Sequence, residues 1–323
     1  MFRPEPRLAS AKVNLALHVV GRRDDGYHLL ESLVVFDGGA SDEIAVASRG
    51  EDGGSDGSGA DCDADTTGDR LTVSGRFASS VPTGGDNIIL KAAALARAEF
   101  AKFGLNLPPL DIALSKRLPV AAGIGGGSAD AAAFLALVSS DVPEEARRAL
   151  AAAAIRLGAD VPMCLAGEAA FVSGIGEDIR PIETMPELAM LLVNPGIAVE
   201  TAAVFRMLGR RDNPPMPALP GHGFRGLDEL VSYLAETRND LALAAGSLAP
   251  EIEMARSQLF AVGAVFARMS GSGATVFGLF ADAATRDEAA RKIAEEQPGW
   301  WLSRPAVIDA PGIDGPGISR SSP

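Results

Sequence analysis

Apolar and polar residues alternate along residues 8–20. Ala11, Val13, Leu15, Leu17 and Val19 fall on one side, and Lys12, Asn14, Ala16 and His18 on the other. A period of two predicts a strand with one buried apolar face. Its second face carries an ammonium and an amide close together, and spacing alone leaves open whether they meet solvent. Shorter runs predict strands over 31–36, 42–48, 71–77, 111–116, 170–173 and 189–193. A second glycine-rich turn within 268–280 feeds another. Helical spacing predicts a helix capped by Asp86 and running to about Phe103, with Gly104 as its stop. A second runs from Ser128 to about Ser139, and a third opens on Asp141-Val-Pro-Glu144, which resembles a capping box, and ends at Gly158. Further helices are predicted over 227–241, 250–260 and 286–297, and no internal repeat is visible.

The alternation fails completely between Arg49 and Arg70, where Gly, Ser and acidic residues displace almost every apolar one. Such a segment cannot repay the entropy of folding, so a disordered surface insertion is predicted over 49–70. A calcium loop is the sharper alternative, but the acids and glycines lack the EF-hand order ending in Glu. The Gly-, Pro- and Ser-rich tail over 309–323 is likewise predicted to be disordered.

Composition narrows the function. The 323 residues are enough for two domains, and 47% hydrophobic with 22% charged residues describes an ordinary globular protein. A net charge of −13 with no basic cluster argues against a general nucleic-acid binder. Cys62 and Cys164 form neither a disulfide framework nor a metal-ligand spacing. With no signal peptide and no long apolar run, a cytoplasmic location is expected, without nucleic-acid or membrane partners.

The candidate chemistry centres on Pro119-Val-Ala-Ala-Gly-Ile-Gly-Gly-Gly-Ser-Ala-Asp130, which follows a predicted strand and opens a helix. Its glycines let another molecule approach the backbone, Ser128 is a good N-cap, and Asp130 in the first turn suits the helix dipole. The result is a row of N–H groups at a helix N-terminus, a ready anion site. A flexible linker would be polar on both sides, whereas this run lies between Leu118-Pro-Val and an alanine-rich helix. It has neither the Walker P-loop nor the dinucleotide-fold spacing. Asp160, between Gly158 and Pro162, is either an Asx-type turn cap or a rigidly held carboxylate beside this loop. The Tyr27-His28 pair could stack on and hydrogen-bond a base, although a lone His is more often structural.

Three separated motifs resemble those of the GHMP small-molecule kinases, which include galactokinase, homoserine kinase and mevalonate kinase. They are Ala11-Lys-Val-Asn-Leu15, the stretch from Leu118 to Ala132, and Met269-Ser-Gly-Ser-Gly-Ala274. Gly21-Arg-Arg-Asp-Asp-Gly-Tyr-His28 and Gly158-Ala-Asp-Val-Pro162 resemble the branch whose alcohol acceptor carries a cytidyl diphosphate. The resemblance covers about residues 8–308. It implies an α+β fold of two domains, ribosomal-protein-S5-like over 1–171 and ferredoxin-like over 172–308, with ATP and acceptor in the cleft.

Carried over by position, Asp160 would be the base that takes the acceptor's proton, and Lys12 beside it would stabilise charge. Tyr27, His28 and Phe205 would hold the cytosine, with Asn14 and Thr201 also on the acceptor side. Asn87 and Lys116 would contact adenosine. Pro119, Ala122, Gly123, Gly125, Gly126, Gly127 and Ser128 would form the triphosphate loop, and Ser270, Gly271, Ser272 and Gly273 the loop that closes over it. Mg²⁺ would come with ATP rather than on protein side chains, and the protein would be a monomer or weak homodimer. Val34 departs from relatives that often place an aromatic near the cytidine. The alternatives are another GHMP enzyme, of homoserine or mevalonate type, and a non-catalytic nucleotide-binding module; intact Lys12 and Asp160 argue against the latter.

Overall fold

The computed structural model describes residues 5–49 and 68–303. Its frame is a long antiparallel hairpin of β1 (Arg7–Arg22) and β2 (His28–Ser48). The two runs expected over 31–36 and 42–48 are thus one strand. A register shift between Ser10 and Ala11 lets the pairing continue past residues 37–41, and two more fall between Asn14 and Ala16 and between Val19 and Gly21. β3 (Arg70–Ser74), β4 (Leu110–Ser115), β5 (Ala170–Gly174) and β6 (Asp178–Pro181) complete a six-stranded sheet. Its order is β3-β4-β2-β5-β6, with β1 on β2. Helices α1 (Ile88–Ala101), α2 (Gly126–Val138), α3 (Glu144–Ala153) and α4 (Val161–Ala166) join this sheet around one apolar core that includes Phe100, Leu114 and Phe134.

The second sheet is antiparallel, in the order β10 (Trp301–Leu302), β7 (Ala189–Asn194), β9 (Val276–Phe280), β8 (Phe266–Met269). Fourth-first-third-second is the ferredoxin-like arrangement expected from the resemblance. α5 (Thr201–Arg206), α6 (Leu227–Ala235), α7 (Ala242–Leu248), α8 (Glu251–Ala261) and α9 (Ala283–Glu296) complete this half. The seam between the sheets falls after β6, beyond Pro181, rather than at 171, which lies inside β5.

β1 is buried on both sides, so its polar face is interior. Ala11, Val13 and Leu15 pack in the core that also holds Leu192, Phe277 and Leu279 of the second sheet. On the other face Lys12, Asn14 and His18 are also buried. His18 Nε2 accepts the Arg238 N–H at 3.0 Å, which leaves the ring proton on Nδ1 facing the Pro214 carbonyl at 3.3 Å. Burial, reinforced by the Arg238 charge, lowers its pKa and keeps it neutral.

Several element ends differ from expectation, each for a local reason. Asn87, not Asp86, caps α1: its Oδ1 accepts the Ile89 N–H at 2.8 Å, while the Asp86 carboxylate points to Lys91 in solvent. α2 starts at Gly126, so Ser128 lies within its first turn and Gly125 is the cap. No side chain caps α3, which begins after Pro143, so the capping box over 141–144 does not form. The helix expected over 227–241 stops at Ala235 because half-buried Arg268 binds the carbonyls of Leu234 and Thr237 as well as Leu15. That guanidinium has no carboxylate partner among the described residues, and burial pulls its pKa down to about 10.

Most of the acidic insertion, 50–67, lies outside the described residues, as do 304–323. Its C-terminal edge belongs to the fold. Asp69 is buried, forms a two-pronged pair with Arg97 (2.5 and 2.6 Å) and accepts the Leu110 N–H at 2.8 Å. Asp69→Ala is therefore expected to destabilise the protein by about 3 kcal/mol, because it strands a partly buried guanidinium. A short Gly-Ser link replacing 50–67 but keeping Asp69 should leave the melting temperature nearly unchanged. Thermal unfolding of the two variants side by side measures both.

Candidate active site

Two glycine-rich loops meet over β1. The first runs from Pro119 into α2. Gly123 takes φ +73°, and a Cβ there would collide with the Ser270 carbonyl and stand 2.8 Å from the Gly273 nitrogen. Gly125 takes φ +64° as the α2 cap, and a Cβ would lie 3.2 Å from Lys12 Cε. Both glycines are therefore demanded by conformation and by close approach. The first intrahelical bond is Ala129 N–H to Gly125 O at 2.9 Å. The N–H groups of Gly126, Gly127 and Ser128 consequently have no helical acceptor and stand at the positive end of the α2 dipole.

The second loop, 270–274, is pinned to the first. Ser270 Oγ accepts the Asn14 N–H and donates to Gly123 O, both at 3.0 Å. Thr275 N–H reaches Ala122 O at 3.2 Å. Asn239 Nδ2 holds the carbonyls of Met269 (2.8 Å) and Gly271 (2.9 Å), and Ser272 Oγ lies 2.8 Å from Thr201 Oγ1. Ser270 is fully buried and its hydroxyl is committed to this bracket, whereas Gly271 and Ser272 line the cavity.

Beside the loops, Lys12 Nζ lies 2.9 Å from Asp160 Oδ2. Asp160 occupies the α4 cap position, but its side chain makes no capping bond. This carboxylate is turned to the ammonium, and at 38% side-chain exposure it remains open to the cavity. An Asx-type cap would have its oxygen on the helix backbone, which this side chain does not.

The cavity, of about 1090 Å³, extends from Asn87 and the α2 N-terminus to Tyr27, His28 and Phe205. At the near end, Pro119, Ala122 and Lys116 also line it. Asn87 has both polar atoms in use, on Ile89 N–H and the Pro82 carbonyl. The Lys116 ammonium is 3% exposed and lies between Asp42 and Asp130. At the far end the rings of His28 and Phe205 stack at 4.6 Å with 28° between planes, while Tyr27 stands exposed at the mouth. Among the described residues, His28 Nε2 and Asn14 Oδ1 are buried without a hydrogen-bond partner. Burial, with the charges of Arg211 and Arg22, lowers the His28 pKa, so a neutral imidazole faces the site. Val34 is buried and lines the same wall.

Sequence reasoning missed Asp42 and Asn239 altogether and gave Asp130 only a dipole role. Asp42 lies in a strand 74 residues from Lys116, and no local spacing connects the two. Asn239 had a faint signal, an Asn-Asp pair inside an apolar helical pattern, where such residues favour turns.

An anion cradle, a lysine–carboxylate pair and an aromatic pocket in one cleft between two such sheets define a small-molecule kinase. The family model described as GHMP kinases N terminal domain matches residues 87–168, and GHMP kinases C terminal matches 216–299. The 4-diphosphocytidyl-2-C-methyl-D-erythritol kinase of Brucella melitensis biotype 1 is 48% identical over 303 residues, covering 91% of this chain and 92% of that protein. The enzyme of the same name from a Chelativorans species is 44% identical, covering 91% and 93%. A crystal structure of 4-(cytidine 5'-diphospho)-2C-methyl-D-erythritol kinase superposes with TM-score 0.66 at 30% identity, covering 92% of this chain and 98% of that one. Homoserine kinase from Cytophaga hutchinsonii, at 14% identity and TM-score 0.59 over 93% of this chain and 94% of that one, shares the fold. The chain belongs to the GHMP kinases and, within them, to the 4-diphosphocytidyl-2-C-methyl-D-erythritol kinases.

Gly123→Ala tests the clasp between the loops. A left-handed φ costs a non-glycine residue about 1–2 kcal/mol, and the clash with backbone on the second loop adds to that. The variant is expected to lose more than 1 kcal/mol of stability and most of its turnover. Retention of both would show that the loops tolerate separation.

Proposed function

We infer that this chain transfers the γ-phosphoryl group of ATP to the 2-hydroxyl of 4-(cytidine diphospho)-2-C-methyl-D-erythritol, a step in the non-mevalonate route to isoprenoid precursors. ATP is the phosphate donor of the family. The observation that carries the mechanism is the Lys12–Asp160 pair at 2.9 Å, its carboxylate free of any capping role and open to the cavity. Asp160 takes the hydroxyl proton as the oxygen attacks, and Lys12 offsets charge gathering on the transferring group. The N–H groups of Gly126, Gly127 and Ser128 hold the triphosphate, so that most of the catalysis is positioning and electrostatic stabilisation.

Among the described residues there is no group of three His, Cys, Asp or Glu side chains placed to hold a metal. The carboxylates nearest the loop, Asp42 and Asp130, are already engaged by Lys116, and Asp160 by Lys12. This donor set fits a Mg²⁺ carried on the ATP phosphates, whose negative charge it would offset during transfer.

The acceptor is read at the far end. The stacked His28 and Phe205 rings and the exposed Tyr27 offer flat apolar surfaces for a base, and the unpartnered His28 Nε2 supplies a hydrogen bond to its edge. Asn14 Oδ1, also without a partner, and the Thr201 hydroxyl lie along the same wall for the remainder of the acceptor. No helix among the described residues is long and apolar enough to cross a membrane, and we place the enzyme in the cytoplasm beside its nucleotide substrates.

Asp160→Asn keeps size and removes the base. Turnover should fall by roughly two orders of magnitude or more, with ATP affinity nearly unchanged. Near-normal turnover would leave Asp160 with no role in proton transfer. His28→Ala should raise KM for the cytidyl acceptor by roughly tenfold or more while leaving KM for ATP alone. Methylerythritol phosphate without the cytidyl group should be a very poor substrate, and homoserine and mevalonate should release no ADP above background. Efficient turnover of either of those two, with none of the cytidyl compound, would overturn the acceptor assignment but not the kinase chemistry.

A further inference from the structure

Immediately beneath the glycine-rich loop lies a buried charge cluster with no part in the chemistry above. Lys116 Nζ is 2.6 Å from Asp42 Oδ2 and 2.7 Å from Asp130 Oδ2, and all three side chains are almost completely buried. The second Asp42 oxygen accepts the N–H groups of Arg117 (2.6 Å) and Leu118 (2.8 Å), where the chain enters the loop. The second Asp130 oxygen, Oδ1, is buried and has no donor among the described residues. A Cβ on Gly126 would stand 3.2 Å from Lys116 Nζ and 3.8 Å from Asp42 Oδ2, so the cluster abuts the loop backbone itself.

Two carboxylates and one ammonium carry a net charge of −1. Directly behind a site for a polyanion, in a medium that screens poorly, that charge opposes the ligand. A proton on the unpartnered oxygen would cancel it and would turn that oxygen from an acceptor without a donor into a donor. We propose that Asp130 is a positioning residue for the ATP triphosphate and takes up one proton on Oδ1 as the nucleotide binds. The inference rests on the reading of the glycine-rich loop as the ATP cradle.

The surroundings leave Asp130 as the group that can change charge. Burial pushes its carboxyl up to about 7 against the pull of Lys116, and the Asp42 charge adds to the rise. Burial weakens Lys116's hold on its proton, but the two carboxylates outweigh this and raise its pKa, so it stays an ammonium. From α4, the Cys164 thiol is pushed up to about 12 by burial and remains neutral. From β1, Lys12 is paired with Asp160. On α1, packed against α2, the charged side chains are paired elsewhere: Lys91 with Asp86, Arg97 with Asp69, and Glu99 with Lys102 and Arg156. A triphosphate seated on the loop raises the affinity of Asp130 for a proton. By linkage, ATP binds more tightly as pH falls through the interval between the free and bound pKa values, by at most tenfold per pH unit for a single proton.

The test is calorimetric titration of the full-length protein with ATP at pH 7.5, in buffers of different ionisation heat, which counts protons exchanged per nucleotide. The protein is expected to take up a substantial fraction of a proton more than Asp130→Asn does. Subtraction of the variant removes the nucleotide's own titration. Equal proton counts would overturn the inference alone, whereas no binding of ATP would overturn the nucleotide reading and the inference with it. If the variant does not fold, ¹³C NMR of aspartate carboxyls in the unaltered protein decides. One carboxyl should titrate near neutrality and move to higher pH when ATP is added, and failure to find such a carboxyl overturns the inference.

Discussion

The two backbones that cross at Gly123 and the Ser270–Gly273 turn come too close for any side chain between them, and the whole cleft depends on that approach. Ser270 bonds both β1 and the first loop, and Asn239 bonds the second loop from beneath. Each bond is neutral and individually modest, on the order of 1 kcal/mol. Together they fix the α2 N-terminus relative to the second sheet. The lysine–carboxylate pair is then located by β1 and by the α4 cap, two elements this clasp already orients.

Burying β1 on both faces makes this possible and carries an electrostatic cost that the structure meets locally. Lys12 is compensated by Asp160, and His18 is kept neutral by burial and the Arg238 charge. Arg268 is half-buried, has no counter-charge among the described residues, and is solvated instead by four oxygens, from Leu15, Leu234 and Thr237. Those contacts tie the first strand to the end of α6. The cleft is thus held by polar groups that each find a partner inside the protein, as burial requires. Three of the buried atoms without a partner among the described residues, His28 Nε2, Asn14 Oδ1 and Asp130 Oδ1, line the same cavity or lie just behind its glycine loop.

Much of this was legible in the sequence. The chemistry sits in short segments with strong local signatures: glycines that only a close approach explains, a lysine in an otherwise apolar strand, and an aspartate between Gly158 and Pro162. Strands and long helices followed from periodicity for the same reason. What escaped was non-local or marginal. Asn87 and Asp86 are both good caps, and only the turn of the chain at Pro82 selects Asn87. The apolar spacing over 227–241 continues through residues that Arg268 draws out of the helix. Asp69 reads as one more acid of the insertion until Arg97 is placed beside it. β10 is two residues long and has no pattern to read.

The bond from Asn14 N–H to Ser270 Oγ joins residues 256 positions apart, and it lies at the centre of the cleft. Contacts of such separation cannot form early, because loop closure must precede the reward for making them. On a ribosome the consequence is a matter of time. At ~5–20 residues per second, about 13–50 s pass between the synthesis of Asn14 and that of its partner. During that interval β1, apolar on one face and polar on the other, lacks the second sheet it will pack against. The nascent first domain must therefore shield the face of β1 that will later pack on Phe277 and Leu279, and the nucleotide cleft comes into being only as the last third of the chain is completed.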